Sequence, residues 1–394
     1  MRFTGRRRSF WMLSIAATTL VIGGGALYSR FRAHESREIK EISPGISLLS
    51  VSTTTPNGPL RYWLVKADKA GWELGLEVAD ARDVIEKRSV RDLAAQSGAT
   101  VAINGGFFAY GGAAVGAVKV GGEWHRLPWK NRTALGWSET NARIGPLAGS
   151  CQLTLTLADG EKQIKNAALN GFALSGTHTP LVDGFCILTP RFGAKYKRKL
   201  GDVIAEFSNG QRILRAPNEL PDEIEVPADG FLVLARGQAV ETLSQTQNAS
   251  WKAIAHPASF DKSPQILGAG PRLIENSLVK TTEVEEEFRP DVVARGPRTA
   301  MGWDEDRNWL LLVADGRQVA SAGLTIPETA QLFRELGAVE ALNLDGGSST
   351  QLVINGELVN LPSGYDPVNP MRQREVSVTN ALVLKPRGFR GTPR

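Results

Sequence analysis

Histidine and cysteine are scarce in this sequence: 394 residues contain four histidines and two cysteines. His34, His125, His178 and His256 show no metal-ligand spacing and no partner for a catalytic triad. A Gly-x-Ser-x-Gly nucleophile turn fails at Thr350, where the final glycine should stand. No phosphate loop ending in Gly-Lys-Ser/Thr occurs, and no dinucleotide glycine fingerprint follows a strand. These gaps count against zinc enzymes, serine hydrolases, phosphate-loop nucleotidases and nicotinamide oxidoreductases. A basic body is missing too. The net charge is +5, but residues 1–40 carry +6 and 385–394 carry +4, which leaves 41–384 at −5. A faintly acidic body argues against a nucleic-acid partner, which requires a clustered basic footprint. With 42% hydrophobic and 22% charged residues, the composition is that of an ordinary globular chain.

One long apolar run is present. Arg2, Arg6, Arg7 and Arg8 form a basic head (1–8), followed by an uncharged stretch over 9–29. As a helix those residues would span about 31 Å, one hydrocarbon core. The excess of positive charge before the run predicts a signal anchor with its N-terminus inside. The expectation is a single-pass protein of the inner membrane, bound to it through this helix, with its body in the periplasm or exterior. Such an oxidising compartment would allow Cys151 and Cys186 to pair as a disulfide, with two buried thiols as the alternative.

Residues 30–45 are polar and read as a linker, 46–386 as one domain, and 387–394 as a basic tail. Within the domain, 148–260 is strand-rich with frequent turn signals. Ser89 and Asp92 cap a helix that Gly98 closes, and a strand then runs into Asn104-Gly105-Gly106. Thr325 and Glu328 form a second capping box, Gly337 ends that helix, and strand Glu340 to Leu344 runs into Asp345-Gly346-Gly347. With the strand Trp309 to Ala314 this makes a strand–helix–strand unit that predicts a parallel crossover. Asn355-Gly356 marks a hairpin. The fold class expected is α+β, with mixed sheets and few helices. The two capped helices, and the match of Arg132-Thr133-Ala134-Leu135-Gly136-Trp137 with Arg298-Thr299-Ala300-Met301-Gly302-Trp303, suggest an internal pseudo-repeat. Glu283 to Glu287 holds four acids in five residues and reads as a solvated loop without a role.

Candidate chemistry sits where strands end. Asp345 leads into Gly346, Gly347, Ser348, Ser349 and Thr350, where glycine backbone and hydroxyls could hold an anion beside a carboxylate. Asn104 with Gly105 and Gly106 is its counterpart. Arg298 offers a guanidinium fork for a phosphodiester, beside Thr299, and Arg374 is a weaker second candidate. Asp315 ends the neighbouring strand.

Five motifs occur in an order similar to that of the phosphodiester glycosidases: Ile103-Asn104-Gly105-Gly106-Phe107-Phe108, Gly268-Ala269-Gly270-Pro271-Arg272-Leu273, Arg298-Thr299-Ala300-Met301-Gly302, Val313-Ala314-Asp315-Gly316-Arg317 and Leu342-Asn343-Leu344-Asp345-Gly346-Gly347-Ser348-Ser349-Thr350. The resemblance covers roughly residues 60–385. It implies hydrolysis of the sugar C1–O bond of a sugar-1-phosphodiester, with a phosphorylated envelope or exopolysaccharide glycan as substrate and no cofactor. Under it, Asp345 or Asp315 is nucleophile or base, Asn104 orients the substrate, and Arg298 with the Gly346-Gly347-Ser348 backbone holds phosphate. Two rivals stand beside it. One is a metal-dependent phosphodiesterase in which Asp315, Asp345 and Asn104 bind a divalent cation. The other is a non-catalytic protein that binds envelope polysaccharide.

Overall fold

The computed structural model describes residues 35–79, 87–109, 112–171, 183–213, 221–364 and 375–388. Strand accounts for 50% and helix for 11%, so the protein is mainly β and the α+β expectation is corrected. The described residues hold four helices, none longer than the ten residues of Ile326–Glu335. The two capped helices were read correctly, but they decorate sheets and do not form a layer of comparable weight.

Two of the sheets enclose one core. The eight-stranded sheet runs in the order Ser36–Ser43, Ile46–Thr55, Gly58–Ala67, Trp309–Ala314, Arg298–Trp303, Glu340–Asn343, Arg272–Glu275, Leu278–Val279. The five-stranded sheet runs Glu357–Leu358, Leu352–Ile354, Val101–Asn104, Asn380–Pro386, Trp72–Val78. Alternation along each strand sends one set of side chains inward. Val65, Leu311, Val313, Met301 and Leu342 from the first sheet pack with Leu74, Val101, Ile103, Leu352 and Leu382 from the second. Helix Ile326–Glu335 covers the far face of the larger sheet through Ile326, Ala330 and Phe333. Helix Val90–Ser97 covers the far face of the smaller one through Val90, Leu93 and Ala94. The pseudo-repeat therefore has a spatial counterpart, a capped helix laid on the outside of each sheet.

The middle of the chain builds most of a twelve-stranded sheet, antiparallel except where Ala168–Leu169 runs parallel to Gly184–Leu188, and one short helix, Ala239–Gln245, lies within that stretch. Within it, Cys151 and Cys186 are free buried thiols and not a disulfide. Ala167 donates its N–H to the Cys151 carbonyl, and Ala168 pairs with Cys186, so a short strand lies between them. Pleating turns Phe185 and Ile187 toward the Cys151 side, while Cys186 packs with Leu188 on the opposite face. Burial pushes both thiols up to about 12.

The expected linker is also corrected, because Ser36–Ser43 is an edge strand paired antiparallel with Ile46–Thr55. The crossover has the expected direction without adjacency. Trp309–Ala314 and Glu340–Asn343 both run antiparallel to Arg298–Trp303, which lies between them. Among the described residues no helix is long and apolar enough to cross a membrane. The described residues therefore give no support to the expected transmembrane attachment, the membrane partner or the inner-membrane placement; the 9–29 run that carried those expectations lies outside the described residues.

Candidate active site

The two glycine loops meet. Strand Val101–Asn104 ends at Asn104, and strand Glu340–Asn343 releases through Leu344 into Asp345. The Asp345 N–H donates to the Gly105 carbonyl at 3.0 Å, and the Asn104 amide donates to the Asp345 carbonyl at 2.6 Å. The Asn104 oxygen accepts from the Thr299 hydroxyl at 2.7 Å and from the Gln351 N–H at 3.1 Å. Asn104 and Thr299 are fully buried. They fix the backbone of Asp345 from behind and do not face a ligand. Gly105 and Gly106 are buried too, and their N–H groups go to the Asn380 carbonyl and side chain. A Cβ on Gly105 would fall 2.1 Å from Asn380 Oδ1, so only glycine allows this approach.

Asp345 keeps partial exposure while its surroundings bury the carboxyl and push it up to about 7; the Ser349 hydroxyl and Gly346 N–H oppose that rise by bonding its ionised form. Gly346 is pressed on Pro297, whose carbonyl would sit 2.8 Å from a Cβ there. Gly347 takes φ +62° and donates its N–H to that same carbonyl at 3.0 Å, so this donor of the expected anion nest is already used. Residues Gly347–Ser349 make a single 3-10 turn. The Thr350 hydroxyl points inward and is buried without a partner. The Ser348 hydroxyl is partly exposed and makes no bond within the described residues.

Arg298, expected to offer its fork to a phosphodiester, has its donors on backbone carbonyls in this structure. It is 4% exposed, and its guanidinium donates to the carbonyls of Leu324 (2.8 Å), Val292 (2.6 Å), Val293 (3.0 Å) and Ala294. It closes the C-terminal end of the short helix Pro290–Val293 and anchors the segment before helix Ile326–Glu335. Burial lowers its pKa to about 10. Arg132, its counterpart in the echoed motif, likewise donates to two carbonyls, those of Glu286 and Glu287.

The free guanidinium at the loop belongs to Arg317, which the sequence reading passed over. Its φ of +58° turns the side chain back across the strand end. A Cβ on Gly347 would lie 3.3 Å from Arg317 Nη1, and one on Gly296 would lie 3.2 Å from its Nε. Arg317 is exposed and has no ion pair or side-chain hydrogen bond within the described residues. The signal available was its place after Asp315-Gly316 in the fourth motif.

Asp315 is 1% exposed. Its carboxylate accepts from the Asn360 amide at 3.0 Å and from the Leu361 N–H at 3.2 Å. Burial raises it to about 6 against those bonds. This geometry ties down the segment after the Asn355-Gly356 hairpin. The oxygens of Asp315 and Asn104 that a cation would require are thus committed to protein donors. Arg374 lies outside the described residues, and Glu375 beside it pairs with Arg91. Glu286, within the acidic run read as solvated, is buried and accepts from the Thr133 N–H (2.8 Å) and hydroxyl (2.6 Å) and from the Arg272 N–H (3.3 Å).

Comparison with known proteins bears out the resemblance: residues 199–385 match the phosphodiester glycosidase family model. That span includes Arg298, Asp315, Arg317 and Asp345, and leaves Asn104 outside it. The mouse N-acetylglucosamine-1-phosphodiester alpha-N-acetylglucosaminidase is 37% identical over 116 residues, 29% of this chain and 22% of that protein. The human protein of the same name is 35% identical over 199 residues, 50% of this chain and 37% of that protein. The matches therefore span well under half the length of these curated relatives. A crystal structure of a hypothetical protein from Synechocystis superposes with a TM-score of 0.73 at 26% identity, covering 89% of this chain and 63% of that one.

Proposed function

We propose, starting from the phosphodiester glycosidase match over residues 199–385, that this chain hydrolyses the C1–O bond of a sugar-1-phosphodiester. The observation that carries the reading is Asp345, a carboxyl poised at about 7 on a glycine loop, with the unpaired Arg317 guanidinium beside that loop. In this reading Arg317 and the Ser348 hydroxyl receive the phosphate. Asp345 in its ionised form either attacks C1 directly, forming a glycosyl ester that water then hydrolyses, or takes a proton from a water that attacks C1. The C1–O electrons leave on the phosphate oxygen. A phosphomonoester is a weak base, so the leaving group needs little proton assistance. Asn104, Thr299 and Arg298 are positioning residues for this loop. The relatives' names make an N-acetylglucosamine-1-phosphodiester the first substrate to try.

The test is turnover of an alkyl phosphodiester of N-acetylglucosamine-1-phosphate by the parent and by Asp345→Asn, with melting temperatures of both. The amide is nearly isosteric, so folding should survive while kcat falls about 10²–10⁴-fold, the usual weight of a positioned acid–base group. For the parent, the rate should climb as pH rises through about 7, where Asp345 ionises. Turnover by the Asn variant within twofold of the parent would remove Asp345 from the chemistry.

A further inference from the structure

A cavity in the middle sheet lies away from Asp345. It encloses about 370 Å³, and none of its lining residues belongs to the Asp345 loop. Its walls are apolar: Pro128, Trp129, Ile164, Leu169 and Phe185. Arg126 lines it, at the end of strand Glu123–Arg126, and is only 6% exposed. Its Nε is buried without a hydrogen-bond partner, and its side chain has no ion pair within the described residues. Gly171 takes φ +134° there, and a Cβ on it would fall 2.5 Å from Arg126 Nη1. The backbone thus closes on the guanidinium and holds it in place. The one carboxylate lining the cavity is Asp183, which is solvent-exposed and accepts from the Ala239 N–H at 3.4 Å. Burial lowers Arg126 to about 10, and among the described residues the Cys186 thiol opposes that fall.

A buried guanidinium without an acid is costly to keep, and proteins ordinarily pair it. Among the described residues no acid pairs with it, and a cavity with an apolar wall lies beside it. We propose that this cavity is a second ligand site, in which Arg126 receives the oxyanion of an amphiphilic molecule whose apolar part lies against Trp129, Ile164 and Phe185. The shared chemistry is a carboxylate or phosphate monoester on an apolar body. It does not depend on the reading of the Asp345 site.

The probes are hexyl phosphate, hexanoate and uncharged hexanol, titrated into the full chain with Trp fluorescence and melting temperature as readouts. One or both anions should bind at least about tenfold more tightly than hexanol, the weight of one charge-assisted hydrogen bond. Which anion is tighter distinguishes phosphate from carboxylate ligands. Arg126→Met should abolish that preference. With no ligand present it should melt at the same or a higher temperature than the parent, since an uncompensated buried charge is gone. Equal binding of hexanol and both anions, an anion preference that survives in Arg126→Met, or a ligand-free Met variant that melts well below the parent would each overturn the proposal.

Discussion

At the scale of single residues, two arginines that look alike in sequence have opposite roles. Arg298 spends its donors on four backbone carbonyls, and Arg317 spends none of its own within the described residues. Nothing in residue type could separate them, because the difference lies in side-chain direction, set by a left-handed backbone at Arg317 and by strand pairing at Arg298. Paired variants separate the roles. Arg298→Lys should lower stability by about 2–4 kcal/mol, because one ammonium cannot reach four carbonyls in fork geometry. Its KM should change little once the protein is folded. Arg317→Ala should leave the melting temperature near the parent's and raise KM for a phosphodiester by roughly 10–100-fold, as for one lost charge-assisted contact. Thermal melts and initial rates on both variants check this, and the opposite pattern would return the phosphate to Arg298. Asp345 stood out in the sequence because the hydroxyl-rich run after its two glycines, together with the Asn104 counterpart, goes beyond what a tight turn requires. Glu286 was not, because an acid in an acidic run looks solvated until the fold brings Thr133 and Arg272 to it.

At the scale of elements, local signals did well wherever a cap or turn dictates its own geometry. Ser89 accepts from Asp92 N–H and Gly98 is left-handed, as its position after the helix required. Asn355 and Gly356 both take positive φ between the paired strands Leu352–Ile354 and Glu357–Leu358. Strand Ser36–Ser43 escaped the reading because its residues are mostly exposed and carry no alternating apolar face. Its partner strand defines it, and pairing is not written in the strand itself. The box at Thr325 matters beyond its helix, since Glu328 also pairs with Arg295, whose Nη1 donates to the Gly323 carbonyl, while Arg298 holds the Leu324 carbonyl. Thr325→Ala should therefore destabilise the protein by about 1 kcal/mol, as for an ordinary N-cap, and a thermal melt would show it. No measurable change would mean that tertiary packing through Phe333 and Ala330 alone holds the helix.

For the whole molecule, the sequence marked both glycine loops at strand ends, but weighted helices too heavily. Capped helices announce themselves, whereas the long antiparallel ladders of the middle region become visible only through pairing between distant segments, such as Asn248–His256 with Ala142–Leu157. Two carboxyls give the fold a pH signature. Asp345 and Asp315 sit at about 7 and about 6, above the ordinary value of 3.8. Raised values mean that the folded state binds more protons than the unfolded chain between about pH 4 and 7. Stability from these two groups is therefore greatest below that window and declines as pH rises through it. The melting temperature of the parent should fall between pH 5 and 8 more steeply than that of Asp345→Asn. Parallel slopes for the two proteins would show that Asp345 ionises without cost.

The proposed bond cleavage, at C1–O and not at phosphorus, is tested most directly by the fate of the water oxygen. Turnover of an N-acetylglucosamine-1-phosphodiester in oxygen-18-labelled water, followed by phosphorus NMR of the released phosphomonoester, distinguishes the two. Attack at the sugar carbon leaves the phosphate unlabelled, which is the result this account predicts. Label in the phosphate would mean that water had attacked phosphorus, and would contradict it.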